Sequence, residues 1–148
     1  MTVTIQPMTI DHYQPALALW QLSEGIGLSE ADAPASIAGF LERNPGLSFV
    51  AFDGQRLVGV VLCGHDGRRG YLHHLAVAAA YRRQGIGGML VRRSLAALKQ
   101  AGIDKCHLFV FRENQAAFQF WQRIGWTERV ELAMLSSATL LPILDQPT

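Results

Sequence analysis

Arg82-Arg83-Gln84-Gly85-Ile86-Gly87-Gly88-Met89-Leu90 is the stretch on which the reading of this chain turns. It follows the apolar run Leu72-His73-His74-Leu75-Ala76-Val77 and opens a segment of helical periodicity from Ile86 to about Ala101. Glycines between a strand and a helix let successive backbone N–H groups converge on an anion at the helix N-terminus. The two arginines add charge where phosphate oxygens would sit, so the spacing points to a phosphorylated ligand. Two familiar nucleotide loops do not fit. A P-loop ends in Gly-Lys-Ser/Thr, whereas Gly88 is followed by Met89. A dinucleotide fingerprint needs a further glycine where this chain has Leu90.

On either side of the loop, strand and helix signals alternate. Val3 to Met8 alternates as a strand, and Thr9-Ile10-Asp11 caps a helix whose Tyr13, Leu17 and Trp20 form an apolar stripe. Gly25 and Gly27 break that helix; Pro34 to Arg43 reads as a second one, stopped by Asn44-Pro45-Gly46. Ser48–Phe52 and Arg56–Gly64 are β-rich runs joined by the hairpin signal Asp53-Gly54, and Tyr71–Val77 completes an antiparallel meander. After the loop, Gly88, Val91, Leu95 and Leu98 share one helix face, and Gly102 ends the helix. Cys106–Phe111 is a further strand, parallel to Tyr71–Val77 because a helix connects them. Asn114–Ile124 reads as a helix with Ala117, Phe120, Trp121 and Ile124 on one side, and Trp126–Val130 and Glu131–Ser136 as the last strands. The tail from Leu140 carries no assignment.

The 148 residues fit one domain, 1–148. With 49% apolar and 17% charged residues the composition is that of a globule and not of a disordered chain. A net charge of +1 gives no support for a nucleic-acid or membrane partner. Cys63 and Cys106 stand alone in strand-like surroundings and read as free thiols of a reducing compartment. Metal-ligand spacing, a targeting leader and a membrane-length apolar run are not found, so a cytoplasmic protein without a metal is expected.

The pattern Arg82-x-x-Gly85-x-Gly87 behind Leu75-Ala76-Val77 resembles the acyl-CoA-binding loop of the GNAT superfamily of N-acetyltransferases. A second motif, Asn114-x-x-Ala117-x-x-Phe120-Trp121-x-x-x-Gly125-Trp126, is similar to that family's Asn-x-x-Ala-x-x-Phe/Leu-Tyr-x-x-x-Gly-Phe. Both occur in the family's order, and the resemblance covers roughly residues 3–136. It implies an α/β (α+β) fold with a mixed, mostly antiparallel central sheet, two splayed parallel strands and flanking helices. The implied element order is β-α-α-β-β-β-α-β-α-β-β. The implied cosubstrate is acetyl-CoA, with no metal, and the acceptor a small-molecule amine or a peptide amine. A symmetric dimer through the last strands is a common arrangement in the family.

The resemblance also implies a site. The pantetheine arm would lie between Tyr71–Val77 and Cys106–Phe111, pairing with backbone at Leu75, Ala76 and Val77, where one N–H would polarise the thioester carbonyl. Arg82, Arg83, Gln84, Gly85, Ile86, Gly87 and Gly88 would cradle the pyrophosphate; otherwise the glycines make a plain strand-to-helix turn. Asn114 and Phe120 fall on the cofactor side by the same analogy, although Asn114 equally suits a helix cap.

Strand alternation puts Tyr71, His73, Leu75 and Val77 on one face and Leu72, His74 and Ala76 on the other. An imidazole near the reacting carbonyl can take the proton that an ammonium acceptor must lose. The segment 71–77 resembles the arylalkylamine N-acetyltransferases, whose strand histidines serve proton removal. His73 matches one of their two positions, and Tyr71 stands at the other. The competing reading of His73 is a packed strand histidine. His74 is expected to face away, and His65 and His107 to be structural or surface residues. Trp121 stands where many family members carry a tyrosine that protonates the leaving thiolate; an indole N–H donates a hydrogen bond but is not a usable acid. Trp121 therefore either steadies the sulfur or packs, with Tyr71 or Tyr81 as other donors. This departure keeps a second class open: a non-catalytic acyl-CoA-binding sensor or interaction module. Glu24, Glu30 and Asp32, between the first two helices, either attract a cationic acceptor or are solvated loop charges.

Overall fold

Strand and helix boundaries in the computed structural model, which describes residues 2–139, follow the periodicity closely as far as the glycine loop. The chain divides into two compact units that meet in sequence at Gln115/Ala116. The first contains β1 (Val3–Pro7), α1 (Tyr13–Leu22), α2 (Pro34–Arg43), β2 (Phe49–Asp53), β3 (Arg56–His65), β4 (Gly70–Val77), α3 (Ile86–Gln100) and β5 (Cys106–His107). The strands form one sheet in the order β1-β2-β3-β4-β5, every pair antiparallel except the parallel β4–β5. The mixed, mostly antiparallel α/β class expected from the resemblance is the class observed.

Helices cover both faces of the sheet. A Cβ placed on Gly59 would meet Leu90 and Ile86 of α3, and one on Gly70 would meet Leu98 of α3. On the opposite face a Cβ on Gly64 would meet Phe40 of α2 and Asn44 just beyond it. Covered from both sides, β3 is buried without interruption from Leu57 to Gly64, and its sequence is accordingly apolar throughout instead of alternating. The stripe of α3 that meets the sheet is Ile86, Gly87, Leu90, Val91, Ser94 and Leu98. Gly88 and Leu95, expected in that stripe, flank it half-buried. Ser94 takes the central place because its hydroxyl donates to the Leu47 carbonyl at 2.7 Å, so burying it leaves no donor unsatisfied.

Two departures lie in the sheet itself. The strand expected over Cys106–Phe111 pairs only through Gly70↔Cys106 and Tyr71↔His107. Beyond those rungs the Tyr71 ring lies 5.7 Å from His107 and stacks on Phe109 at 6.3 Å, with aromatic contact in place of a continued ladder. The far half of β4 consequently has no strand partner on its β5 side among the described residues. The second departure is a bulge. Val60 pairs with Ala76 but Leu62 with His73, so one β3 residue faces two of β4, and His74 has a φ of 53°.

In the second unit, α4 (Gln115–Arg123) ends in a Schellman motif. Gly125 has a φ of 100°, its N–H donates to the Gln122 carbonyl at 3.1 Å, and the Trp126 N–H donates to the Trp121 carbonyl at 2.9 Å. The two strands expected over Trp126–Ser136 are absent among the described residues. Val130, Leu132, Met134 and Leu135 are 80%, 61%, 70% and 94% exposed there. Alternation makes a strand only where a neighbouring ladder and an apolar surface receive it. The tail from Leu140 lies outside the described residues. No helix among the described residues is long and apolar enough to cross a membrane.

The α2 face of β3 leaves no room for a side chain at position 64, where a Cβ would stand 2.8 Å from Asn44 Nδ2 and 2.9 Å from Phe40 Cζ. Asn44 is itself fixed, accepting from the His65 N–H at 3.0 Å. Gly64→Ala is expected to lower unfolding free energy by about 1–3 kcal/mol in urea titration.

Candidate active site

Polar contacts tie the segment after β4 to the strand ends at Ala78, Tyr81 and Arg82. The Ala78 N–H donates to the Val58 carbonyl at 2.8 Å, and a short 3-10 turn, Ala79–Tyr81, comes next. The Tyr81 hydroxyl donates to Asp53 at 2.6 Å, and the Arg56 guanidinium lies over its ring. That bond to Asp53 raises the phenol above its ordinary range and spends its proton on the β2–β3 turn, away from the bulge. Arg82 Nε donates to the Val77 carbonyl at 3.0 Å, holding the loop to the strand end.

The turn into α3 uses left-handed backbone at Arg83 (φ 63°) and at the N-cap Gly85 (φ 83°). Such alternation aims successive N–H groups into one concavity. No side chain caps the helix, and the Met89 N–H to Gly85 carbonyl bond at 3.0 Å is its first. The N–H groups of Ile86, Gly87 and Gly88 therefore precede the helical ladder. The first turn carries no acidic residue, and the Arg92 guanidinium lies beside Gly88, where a Cβ would stand 3.3 Å from its Nη1. Uncapped amides flanked by Arg82, Arg83 and Arg92 fit a diphosphate. Arg92 was not singled out in the sequence because it lies a further turn along the helix.

The bulge changes which way His74 faces. Leu62 shares the helix-α2 side with Gly64, and His73, paired with Leu62, places its ring 6.1 Å from that of Phe40 in α2. His74 does not face away as alternation predicts. Its left-handed backbone turns it to the same side, where its ring lies 5.2 Å from that of Trp20 and Nε2 is 2.9 Å from Asp32 Oδ1. Past the bulge the facing is inverted: Val77 pairs with Gly59 on the α3 side, so it no longer shares a face with Tyr71 and His73. A bulge inserts one residue and so reverses every later position.

His73 has no hydrogen-bond partner for its ring among the described residues, and neither of its nitrogens is sealed from solvent. Partial burial lowers its pKa from 6.5, and the neighbouring His74 pushes the same way, with Asp32 opposing. The neutral, proton-accepting imidazole is the form favoured at neutral pH. Of the acidic residues expected near the acceptor, Glu24 and Glu30 are exposed. Asp32 is not solvated: it is 8% exposed, with Oδ2 accepting from the Ser29 N–H and Oδ1 bonded to His74.

The segment between α1 and α2 packs closely on the segment after β5. A Cβ on Gly25 would collide with the Asn114 amide, and one on Gly27 would contact Phe111 at 3.4 Å. Phe109 and Phe111 are 60% and 53% exposed at this end. In the second unit, Trp121 meets Phe120 edge-on at 5.0 Å and Trp126 at 5.1 Å, the apolar contact that accompanies a Schellman motif. Cys63 and Cys106 are free, their thiols pushed up to about 12 and about 11 mainly by burial.

The Acetyltransferase (GNAT) family model matches residues 14–126. N-alpha-acetyltransferase 30 of Schizosaccharomyces pombe is 33% identical over 84% of the chain and 83% of its own length. Among solved structures, the PaiA N-acetyltransferase of Thermoplasma acidophilum in complex with coenzyme A superposes with a TM-score of 0.73 at 20% identity, over 86% of this chain and 91% of that one. The structure of AAC(6')-Iy in complex with the bisubstrate analogue CoA-S-monomethyl-acetylneamine gives a TM-score of 0.75 at 16% identity, over 93% of this chain and 99% of that one. The chain belongs to the acetyltransferase (GNAT) family. It is an acyl-CoA-dependent acetyltransferase, with acetyl-CoA as cosubstrate.

Because His73 is lowered, its share of folding free energy is present above pH 6.5 and is lost as pH falls through the folded value. NMR titration of the His73 ring is expected to give a midpoint below 6.5. A midpoint above it would contradict the packing against Phe40.

Proposed function

We propose that this acetyltransferase moves the acetyl group of acetyl-CoA directly to a primary amine, and that the α-amine of a peptide is the first acceptor class to test. One observation carries the reading: the uncapped N–H groups of the 82–88 loop follow the same strand that carries a half-buried His73, with its pKa lowered, beside a ladder left open. The peptide acceptor is supported by the name of the Schizosaccharomyces pombe relative, whose likeness covers 84% of this chain and 83% of its own length. Small amines remain the competing acceptors, in line with the acetylneamine-bearing bisubstrate analogue bound in AAC(6')-Iy. We take residues 1–148 as one catalytic domain, supported by a family match that runs through both units. Two free, unreactive thiols fit a reducing, cytoplasmic setting.

In this reading acetyl-CoA supplies the activated acyl group. Arg82, Arg83, Gln84, Gly85, Ile86, Gly87 and Gly88 hold its pyrophosphate, by charge and by N–H groups. Backbone at Leu75, Ala76 and Val77 aligns the arm as an added strand, for which the unpaired side of β4 is suited. A β4 N–H at Leu75 donates to the thioester oxygen and stabilises the charge that develops there. His73 accepts the proton of the acceptor ammonium, directly or through water. Tyr71 lines the gap beside Phe109, while Asn114 and Phe120 act on the cofactor side. Trp121 packs, and no acid is assigned to it.

Thiol release from acetyl-CoA at about pH 8, where more amine is neutral, tests the function over short peptides, arylalkylamines, polyamines, amino acids and aminoglycosides. Peptide-dependent release is the expected result. Binding of acetyl-CoA with no acceptor-dependent release would favour the non-catalytic module. His73→Ala is expected to lower kcat roughly 10²–10⁴-fold with little change in the KM for acetyl-CoA. Beside the limb set by acceptor ionisation, the wild-type rate is expected to show a further fall below pH 6.5 that is absent from that variant. Arg82→Ala and Gly87→Trp are each expected to weaken coenzyme A binding in calorimetry; unchanged affinity in both would remove the loop from the site.

A further inference from the structure

We propose that Trp20, Asp32 and His74 form a clamp that sets the β4 bulge, making them positioning residues for acetyl transfer; this rests on the proposed role of β4 in holding acetyl-CoA. His74 is the strand residue of this sheet that holds a left-handed φ, 53°, without being glycine. A side chain stays in that region only when its surroundings fix it. Here contacts from two separate elements converge on it. Trp20 of α1, 1% exposed, donates its indole N–H to the His74 carbonyl at 2.9 Å and lays its ring against the His74 ring. The carbonyl is thereby directed to the helix. From the 3-10 turn Glu30–Asp32, the Asp32 carboxylate holds His74 Nε2 at 2.9 Å.

Asp32 is in turn immobilised. Its second oxygen accepts from the Ser29 N–H at 3.0 Å, and its carbonyl accepts from the Tyr13 hydroxyl at 2.6 Å. Both anchors flank the segment that joins α1 to α2, the side from which an acceptor would approach His73. The clamp therefore couples the order of that segment to the direction of the β4 backbone. Without it β4 regains a regular pleat, and Leu75, Ala76 and Val77 exchange faces. None of the three side chains needs to touch a substrate to have this effect.

The test uses acetyl-CoA labelled with ¹³C at the acetyl carbonyl, bound to the full-length protein and read by infrared difference spectroscopy, beside steady-state kinetics. In the wild type the bound carbonyl band is expected at lower frequency than in free acetyl-CoA. Trp20→Phe removes the N–H together with one ring of the buried indole, and Asp32→Ala removes the carboxylate. Each is expected to return the band toward its free position, to lower kcat roughly 10- to 100-fold and to raise the KM for acetyl-CoA. His74→Gly, which tolerates the φ, should keep more of the shift than His74→Val, which does not. Variants that keep both the wild-type band and the wild-type kcat would overturn the clamp. Equal losses in His74→Gly and His74→Val would do so too, even if Trp20→Phe failed to fold. A wild type that binds acetyl-CoA with no shift at all would overturn the role of β4 and the clamp with it, whereas a missing acceptor would leave the band test intact.

Discussion

One backbone torsion, the φ of 53° at His74, decides how the active half of β4 is presented. Left to its propensity, an apolar strand with two central histidines would pleat regularly and send those histidines to opposite faces. The bulge sends both to the side of α1 and α2, where they meet Phe40, Trp20 and Asp32. It also inverts the facing of the remaining strand residues, up to the Val77 carbonyl that Arg82 grips. The backbone leading into the glycine loop thus depends on a conformation that Trp20 and Asp32 hold from outside the strand.

The glycine loop shows the same economy in a different form. Left-handed turns at Arg83 and Gly85 leave α3 to begin without a cap, which in another protein would be a weakness. An anion can take the place of the missing cap. Around it, the Tyr81–Asp53 and Arg82–Val77 bonds fix the approach from the sheet.

Much of this was legible in the sequence, for reasons that can be named. Helix α2 and the meander carry their boundaries as caps, a proline, an Asp-Gly turn and uninterrupted apolar runs, all local signals. The loop and the 114–126 motif carry the family. What period-2 alternation could not show was a bulge, because His74 is no glycine and its conformation is imposed by Trp20 and Asp32, 54 and 42 residues away in sequence. Asp32 read as a loop charge for the same reason, and Trp20 as one more core aromatic. Alternation in 126–136 was equally misleading, since nothing in a strand-like pattern says whether a ladder exists to receive it. The Schellman turn that gives Trp121 its partner Trp126 depends on Gly125 taking a positive φ, a feature the motif's final Gly-Trp carries in the sequence.

The unequal build of the sheet has a bearing on how such a chain can change over time. Most of the burial lies in β2, β3 and the inner face of α3, where Val50, Val58, Val60, Val61, Cys63 and Leu90 are fully enclosed. β5 contributes two rungs, and the aromatic segment after it is largely open to water. Substitutions at Phe109, Phe111, Glu24 or Glu30 therefore disturb little of what holds the domain together. A lineage can vary these positions at small thermodynamic risk, while β4 stays anchored against the part of the molecule least free to vary.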